Sequence, residues 1–473
     1  MVESRSNRGK MILAPIVFVI VSLLVSCASL STQTKFYEPI QRDLNEGEYA
    51  LAANAIEQAY TAGKYPDKDR FLYFLDAGLA HHYADSFQVS IDRLAQAELA
   101  AEELFTRSIS RAEASLLLND NVLEYSGEDH EIIYTNLINA LNYTELDRIE
   151  DAFVEVRRAN QKLQSLEQKY FKAAEVYRAG AQSDSSQVDL PYDFKPLRFS
   201  NSAFARYLSL HMYAAEGKLD DARIDHDLLK EAFTTQPQIY DFSAPEVKYT
   251  SEGKTILSVI ALTGTSPVKN DLKLRIRTDK QLNLVQIMYD GAGPNSTEYG
   301  HFMLPISEDY YFKFAIPVIS AGSSRIERIR VSADGKLLGH LQMIEDVNRV
   351  AAEVFEPKKT LIYVRTVARA LIKGLSAHKL KEDIDKKNDS NFGAWLLKAA
   401  VDVGTDVIEN ADLRCSRLLP SYIYVGDFEV EPGSYDLLIE FLDTNGNVLD
   451  SSYQSGYTVG ESGLNMLRAV SLK

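Results

Sequence analysis

The sequence predicts an α+β chain: an N-terminal array of paired α-helices, then an antiparallel β-sandwich that carries a helical insertion. Three observations point there. From Gly47 to about Phe233 apolar residues recur at helical spacing in segments rich in Ala, Leu, Glu, Gln and Tyr, with Gly and Pro nearly absent inside the runs. After Pro237 the period changes to two, and between two such alternating stretches residues 346–410 return to helical spacing. At 473 residues, 45% hydrophobic and 25% charged, the chain has an ordinary globular composition and enough length for more than one core.

Within the helical stretch, assigned to residues 43–240, one pattern recurs. Gly47-Glu48-Tyr49 is followed by Ala52, Ile56 and Ala59; Asp85-Ser86-Phe87 by Ser90, Leu94 and Ala97; Asp147-Arg148-Ile149 by Ala152, Val156 and Ala159; and Gly217-Lys218-Leu219 by Ala222, His226 and Leu229. Each copy reads as a turn, one large residue, then small and large residues on one helical face. This resembles the turn and second helix of tetratricopeptide repeats, where a small residue lets two helices approach closely. Phe74, Gly78 and His81 occupy the matching positions of a first helix. The copies start 38, 62 and 70 residues apart, so the array is degenerate or interrupted; a generic bundle of antiparallel helix pairs fits the same pattern. Gly180 to Pro196 reads as an inserted loop.

The sandwich is expected to be built from residues 241–345 and 411–473. Leu272, Leu274 and Ile276 alternate with charged residues, as do Tyr310, Phe312, Phe314 and Ile316, and Asp334-Gly335 signals a hairpin between Val331 and Leu337. Near the end Tyr435, Leu437, Ile439 and Phe441 alternate after Pro432-Gly433, Asn445-Gly446 makes a turn, and Tyr457 with Val459, then Val470 with Leu472, supply later strands. One solvated face per strand calls for a partner sheet to bury the other. In the insertion Leu361, Val364, Ala368, Leu371 and Leu375 fall on one helical face and Arg365, Arg369 and Lys373 on another; a second helix is expected from Phe392 to Ile408.

The first residues carry Arg5, Arg8 and Lys10, then an uncharged run from Met11 to Val25, then Ser26-Cys27. This is the layout of a signal peptide, and the run is shorter than the about 20 residues that a membrane-spanning helix needs. Leu24-Val25-Ser26-Cys27 resembles the lipobox of bacterial lipoproteins. That resemblance implies that residues 1–27 are a lipoprotein signal segment cleaved just before the cysteine, that Cys27 is acylated as the new N-terminus, and that lipid holds the body at a membrane, with residues 28–42 as tether. Ala28 stands where an aspartate would mark inner-membrane retention, which implies the outer membrane. With a net charge of −16, and −18 once the leader's three basic and one acidic residues are gone, the body is not expected to bind nucleic acid. Once Cys27 is acylated, Cys415 has no partner for a disulfide.

No Walker loop, HExxH, GxSxG, CxxC or dinucleotide glycine motif occurs, and no cofactor or metal is expected. His81-His82 are adjacent, so on a helix they diverge by about 100° and do not readily reach one ion. The densest polar cluster is Asn119-Asp120-Asn121 with Tyr125, Gly127, Glu128, Asp129 and Glu131; helix capping accounts for it, and a polar site for a glycan or peptide is the sharper alternative. Asn142, Tyr143, Arg157, Arg206 and Tyr207 are candidates for a recognition groove, against a plainer reading as intrahelical pairs. Arg365, Arg369 and Lys373 are either a contact for an anionic surface or a solvated helix face.

Several of these stretches together resemble a family of uncharacterised bacterial lipoproteins with a tetratricopeptide-like N-terminal region. The matching pieces are Ser26-Cys27-Ala28, Gly47 to Ala59, Tyr73 to Gly78, Ser108 to Glu131, Ala140 to Tyr143, Glu155-Val156-Arg157, Ala203 to Tyr207, Val364 to Lys373 and Ala411 to Arg414. The family's last motif usually has a tryptophan where this chain has Cys415. Membership implies an envelope lipoprotein and no catalysis. The expected function is a non-enzymatic scaffold for an envelope protein partner, with two rivals: a cell-wall or glycan-active enzyme using carboxylates near Asp120 and Glu128, and a surface-exposed ligand-binding lipoprotein.

Overall fold

The computed structural model describes residues 35–112, 124–182, 197–290, 298–303, 306, 308–375 and 411–473. The leader with Cys27, the Asn119-Asp120-Asn121 cluster, most of the Gly180–Pro196 loop and the helix expected at Phe392–Ile408 lie outside the described residues.

The elements described in the N-terminal part are helices: α1 (Tyr37–Glu46), α2 (Tyr49–Thr61), α3 (Arg70–Tyr83), α4 (Phe87–Ala112), α5 (Asp129–Glu145), α6 (Ile149–Gln182), α7 (Ala203–Ala215) and α8 (Leu219–Thr235). They stack as sequential pairs, α3 on α4, α5 on α6 and α7 on α8. The four turns read from sequence share one geometry. Gly47, Asp85, Asp147 and Gly217 all have positive φ, between 54° and 81°. In each, the following residue donates its N–H to a carbonyl five residues back at 2.8–2.9 Å, which caps the last carbonyls of the first helix in the Schellman manner. The residues expected on the inner face are buried in the first three copies, apart from a half-buried Ala59; in the fourth, Ala222 and Leu229 are buried and His226 is half-buried. At Gly78 α3 packs closely on α4: a Cβ there would lie 2.4 Å from Leu94 Cδ2, and the Gly78 carbonyl accepts a hydrogen bond from Ser90 Oγ at 2.7 Å.

The turns give a first prediction. Asp147 holds φ of 55°, a conformation costly for a residue with a Cβ. Asp147→Gly is expected to raise stability by several tenths to about 1 kcal/mol, while Gly217→Ala lowers it by about 1 kcal/mol. Urea denaturation midpoints measure both, and a destabilising Asp147→Gly would remove backbone strain as the reason for the turn pattern.

Among the described residues, the C-terminal part forms three four-stranded sheets. Sheet I has the order β12 (Met466–Ser471), β1 (Thr255–Thr263), β9 (Tyr422–Val430), β8 (Gln342–Asp346). Sheet II has β11 (Val448–Val459), β10 (Gly433–Leu442), β6 (Arg328–Ala333), β7 (Lys336–His340), and sheet III has β4 (Glu298–Met303), β3 (Leu284–Tyr289), β2 (Val268–Asp279), β5 (Tyr311–Ser320). The two β-stretches do interleave, since β1 pairs with β9 and β6 pairs with β10. Two features depart from a single antiparallel pairing scheme. β12 runs parallel to β1, and residues 268–320 form a sheet of their own. Helix α9 (Val347–Leu375) follows β8; its described buried positions include Ile362, Tyr363, Thr366, Val367 and Ala370, whereas the side chains expected on its apolar and basic faces, Arg365, Arg369 and Lys373 among them, lie outside the described ones.

Sheet I is the central layer. On β1, Leu257, Val259 and Ala261 face a cluster shared with Ile329, Val331, Leu437, Ile439 and Phe441 of sheet II. The intervening Ile260 and Leu262 join a second cluster, with Ile344, Ile423 and Val425, that continues into the helices. A strand covered on both faces reads as a near-continuous apolar run, and Thr-Ile-Leu-Ser-Val-Ile-Ala-Leu-Thr is such a run, interrupted only by Ser258 between its threonine ends. One hydrophobic core therefore spans helices and sheet I. No described helix is long and apolar enough to cross a membrane.

Candidate functional site

Of the side chains that sequence reasoning favoured, Tyr125 and Tyr207 lie where the helices meet the C-terminal part of the chain. Residues 411–421, the irregular segment leading into β9, lie against α3 and α5. Arg414 donates to Asp69 at 2.7 Å and to both oxygens of Asp412 at 2.9 and 2.8 Å, with its guanidinium 5.2 Å from the Tyr125 ring centroid. Ser416 donates its hydroxyl to Asp76 and its N–H to Glu131, both at 2.6 Å. Tyr83 donates to the Leu418 carbonyl at 2.6 Å. The other oxygen of Asp76 accepts from Tyr37 and, at 2.9 Å, from Tyr65.

Beside this contact sits a buried ion cluster. Glu128 precedes α5, in a reciprocal capping box with Glu131. One Glu128 oxygen takes Lys269 of β2 at 2.7 Å and the other takes Lys358 of α9 at 2.6 Å. Burial alone would raise the Glu128 pKa, yet the two ammonium groups bring it down to about 2. Glu131 goes the opposite way: burial, and then the negative charge of Glu128, push it up to about 7 despite hydrogen bonds from Glu128 N–H, Tyr125 and Ser416. Burial also lifts Asp76, to about 6, against the lowering effect of Ser416, Tyr37 and Tyr65. Cys415 is a buried free thiol that accepts from Lys269 N–H, and burial pushes it up to about 12, so it stays protonated.

A pH dependence follows, with its sign fixed by linkage. Glu131 holds its proton in the folded state up to about pH 7, whereas the unfolded chain releases it near the ordinary carboxyl value of 4.5. Between those values the folded state binds more protons, so this group's contribution is complete below the unfolded pKa and is lost as pH rises through about 7. Glu131→Gln removes the titration. The stability difference, wild type minus variant, is expected to fall by a few kcal/mol between pH 4.5 and 7.5, at about 1.4 kcal/mol per unit. The buried histidines act equally on both proteins and drop out of the difference. Denaturant titrations at each pH measure it, and a flat difference would mean that Glu131 is solvated.

Two further contacts repeat the arrangement. Glu345 of β8 is fully buried; it accepts from Tyr134 of α5 at 2.6 Å, Ser202 at 2.8 Å, Tyr240 at 2.9 Å and Phe204 N–H at 3.2 Å. Asp427 of β9 accepts from Tyr207 of α7 at 2.7 Å, Ser258 of β1 at 2.9 Å and Lys248 N–H at 3.0 Å, with His211 Nε2 at 3.2 Å. Ser258, His211 and Asp427 are the residue types of a hydrolytic triad, but their geometry is different. The serine hydroxyl bonds the aspartate directly and sits at 3.2 and 3.5 Å from the two ring nitrogens, so the imidazole does not stand between them. All three are interior groups that tie α7 to sheet I.

The structure thus gives several expected site residues an internal role. Tyr125, Asn142 and Tyr207 are buried and face their own chain, not a groove. Asn142 donates to Ser90 at 2.8 Å and its carbonyl oxygen meets His82 Nδ1 at 2.7 Å, while His82, held neutral by burial, is part of the packing between α3 and α5. Arg206 is spent on Asn201 and Asp225, both at 2.9 Å. Tyr143 lies under Arg148, and Arg157, which is exposed, lies near Phe153. Glu128, with both oxygens on lysines, is not placed to donate a proton. Asp76, Glu345 and Asp427 were missed; the available signal was an acid set inside an apolar stretch, as in Leu75-Asp76-Ala77.

A cavity of about 270 Å³ opens between α4, α5 and α6. Ala101, Ile132, Ile133 and Leu166 give it an apolar wall, and Glu98, Glu102, Asp129 and Lys162 line it with charge. Burial would raise Glu98, but Lys162 at 2.6 Å and Arg158 at 2.9 Å lower it on balance, so it is a fixed anion and not a proton donor. No group of three metal-ligating side chains is placed to hold an ion among the described residues.

Compared with protein-family models, with curated proteins and with solved structures, the chain matches none. Its class rests on its own architecture: a mixed α+β protein, with several largely antiparallel sheets, in which the helices and sheet I share a core.

Proposed function

We propose that this chain is an exported lipoprotein, acylated at Cys27, that serves as a scaffold for another protein of the cell envelope. In this reading the helix pairs are a degenerate tetratricopeptide-like array, sheets I and II are the sandwich, and the lipid holds the body at the outer membrane. One observation supports the role above others. The first helices are tied to the C-terminal part of the chain, α3 through Asp76 to the 411–421 segment and α5 and α7 through Glu345 and Asp427 to sheet I, while the second helices carry Leu51, Tyr60, Val89, Leu99, Val154 and Ile224 exposed. Scattered apolar side chains are ordinary on a surface, but here every second helix carries one or two. A stacked array that shares a core with a sheet presents such a row rigidly, which favours binding without a large ordering cost.

Photocrosslinkers at Leu99 and Ile224 in intact cells test this. The expected result is capture of the same envelope protein from both positions, lost on Leu99→Asp and Ile224→Asp. Mass spectrometry of the mature N-terminus is expected to find acyl chains on Cys27. An intact leader without fatty acid, or no captured protein from either position, would sink the assignment.

A further inference from the structure

Sheet III has one face covered; on the other, Lys269 is buried at one end of β2, whereas Lys273 and Arg277 are exposed and Arg275 is half-buried. Along β2, Leu274, Ile276 and Thr278 are buried, together with Val285, Ile287, Phe302, Phe314 and Ile316 of its neighbours. Lys273, Arg275 and Arg277 alternate with them and therefore stand on the opposite face. The register places Lys313 of β5 directly opposite Arg275, and Tyr311 opposite Arg277. Four cations thus share a patch two strands wide, in a chain of net charge −16.

Like charges directly opposite one another weaken a sheet, so the patch needs a reason outside the fold. Lys273 reaches Asp271 at 3.6 Å and Lys313 reaches Asp290 at 3.1 Å, both exposed contacts of small value. Glu298, on the edge strand, is engaged by His301 at 2.7 Å. Arg275 and Arg277 meet no carboxylate among the described residues, and Arg275 Nε is buried without an acceptor. One end of the same sheet carries apolar tips: Leu282 in the β2–β3 turn, Met303 at the end of β4 and Tyr311 at the start of β5 are 59%, 39% and 53% exposed.

Cations beside protruding apolar and aromatic side chains match a bilayer interface, where phosphates take the charge and the tips enter the headgroup layer. A soluble anion would leave the apolar tips without purpose. We propose that this face of sheet III docks on an anionic phospholipid surface, with Arg275, Arg277, Lys273 and Lys313 at the phosphates and Leu282, Met303 and Tyr311 inserted between headgroups. The contact fixes which side of the body faces the membrane, and it does not depend on acylation of Cys27.

The test uses the full chain with a benzophenone photocrosslinker in place of Leu282, mixed with vesicles of phosphatidylcholine alone or with about one part in three phosphatidylglycerol. Lipid adducts, read by mass spectrometry, are expected to be roughly tenfold more abundant on the anionic vesicles and to fall with rising salt. Arg275→Glu with Arg277→Glu should reduce them to the phosphatidylcholine level; Arg275→Gln with Arg277→Gln, the milder pair, should act in the same direction if the reversal disturbs folding. Equal yields on both vesicles, or yields untouched by either pair, overturn the proposal. So does suppression by inorganic phosphate beyond that of chloride at equal ionic strength, which would mark a small-anion site, or crosslinking to an acidic protein in place of lipid. The same spectra read the state of Cys27 separately, so loss of the lipoprotein assignment and loss of the docking face are distinguishable.

Discussion

Replacing Glu128 by glutamine is expected to destabilise the protein by about 3–5 kcal/mol, the usual cost of leaving a buried charge uncompensated. The reason lies in unequal exposure of its two partners. Lys358 retains about a third of its side-chain surface and can turn toward water, whereas Lys269 is 2% exposed and has nowhere to go. The neutral amide still accepts a hydrogen bond but no longer offsets the desolvation of that ammonium group, leaving Asp412 as its nearby negative charge. The pair Glu128→Gln with Lys269→Met should therefore be more stable than Glu128→Gln alone, because an apolar side chain of similar length suits the site once the anion is gone. Urea unfolding at neutral pH, followed by circular dichroism, measures both. A single variant within 1 kcal/mol of wild type, or a pair less stable than the single, would mean that water reaches the cluster. The transition should remain a single one, since Glu128, Lys269 and Lys358 join the N-terminal end of α5 to sheet III and α9, and one core runs from the helices into sheet I.

Local chemistry made part of this fold legible in advance. The four helix turns were readable because a residue able to hold positive φ recurs before each second helix, and Asp334-Gly335 and Asn445-Gly446 marked turns for the same reason. Strands with one solvated face showed their alternation, as β2, β5 and β10 did. Strand β1 did not, because burial on both faces removes the polar partner of each apolar residue and leaves no period to detect. The third sheet and the parallel placement of β12 beside β1 are matters of long-range pairing, which a single sequence does not encode locally. Segments noticed for their polar density, Tyr125 to Glu131 and Asp412 to Arg414, do meet in space, although the chemistry joining them is structural. Side-chain type alone does not distinguish Tyr207 facing a ligand from Tyr207 facing Asp427; only the fold decides which way the helix turns.

Glu345 provides the second large effect, and it separates hydrogen bonding from charge. Its carboxylate collects three hydroxyl donors and one backbone N–H in a fully buried setting, and burial raises its pKa against those four donors. Tyr134 belongs to α5, Ser202 and Phe204 open α7, and Tyr240 follows α8, so one side chain fastens two helices and the segment after a third to the edge of sheet I. Glu345→Leu keeps most of the volume and removes every acceptor. With each buried unsatisfied donor costing about 1–3 kcal/mol, and hydroxyls able to rotate toward other acceptors, a loss of about 3–5 kcal/mol is expected. Glu345→Gln retains one acceptor oxygen and lets its amide donate to a hydroxyl turned the other way, so its loss should stay within about 1–2 kcal/mol. Hydrogen exchange offers the sharper reading. The leucine variant should lose protection first in α7 and β8, where the donors and the strand lie, while α3 and α4, held by Asp76 and Ser90, keep theirs. Equal losses for the two variants would show that the negative charge, and not the set of four acceptor bonds, holds the helices to the sheet.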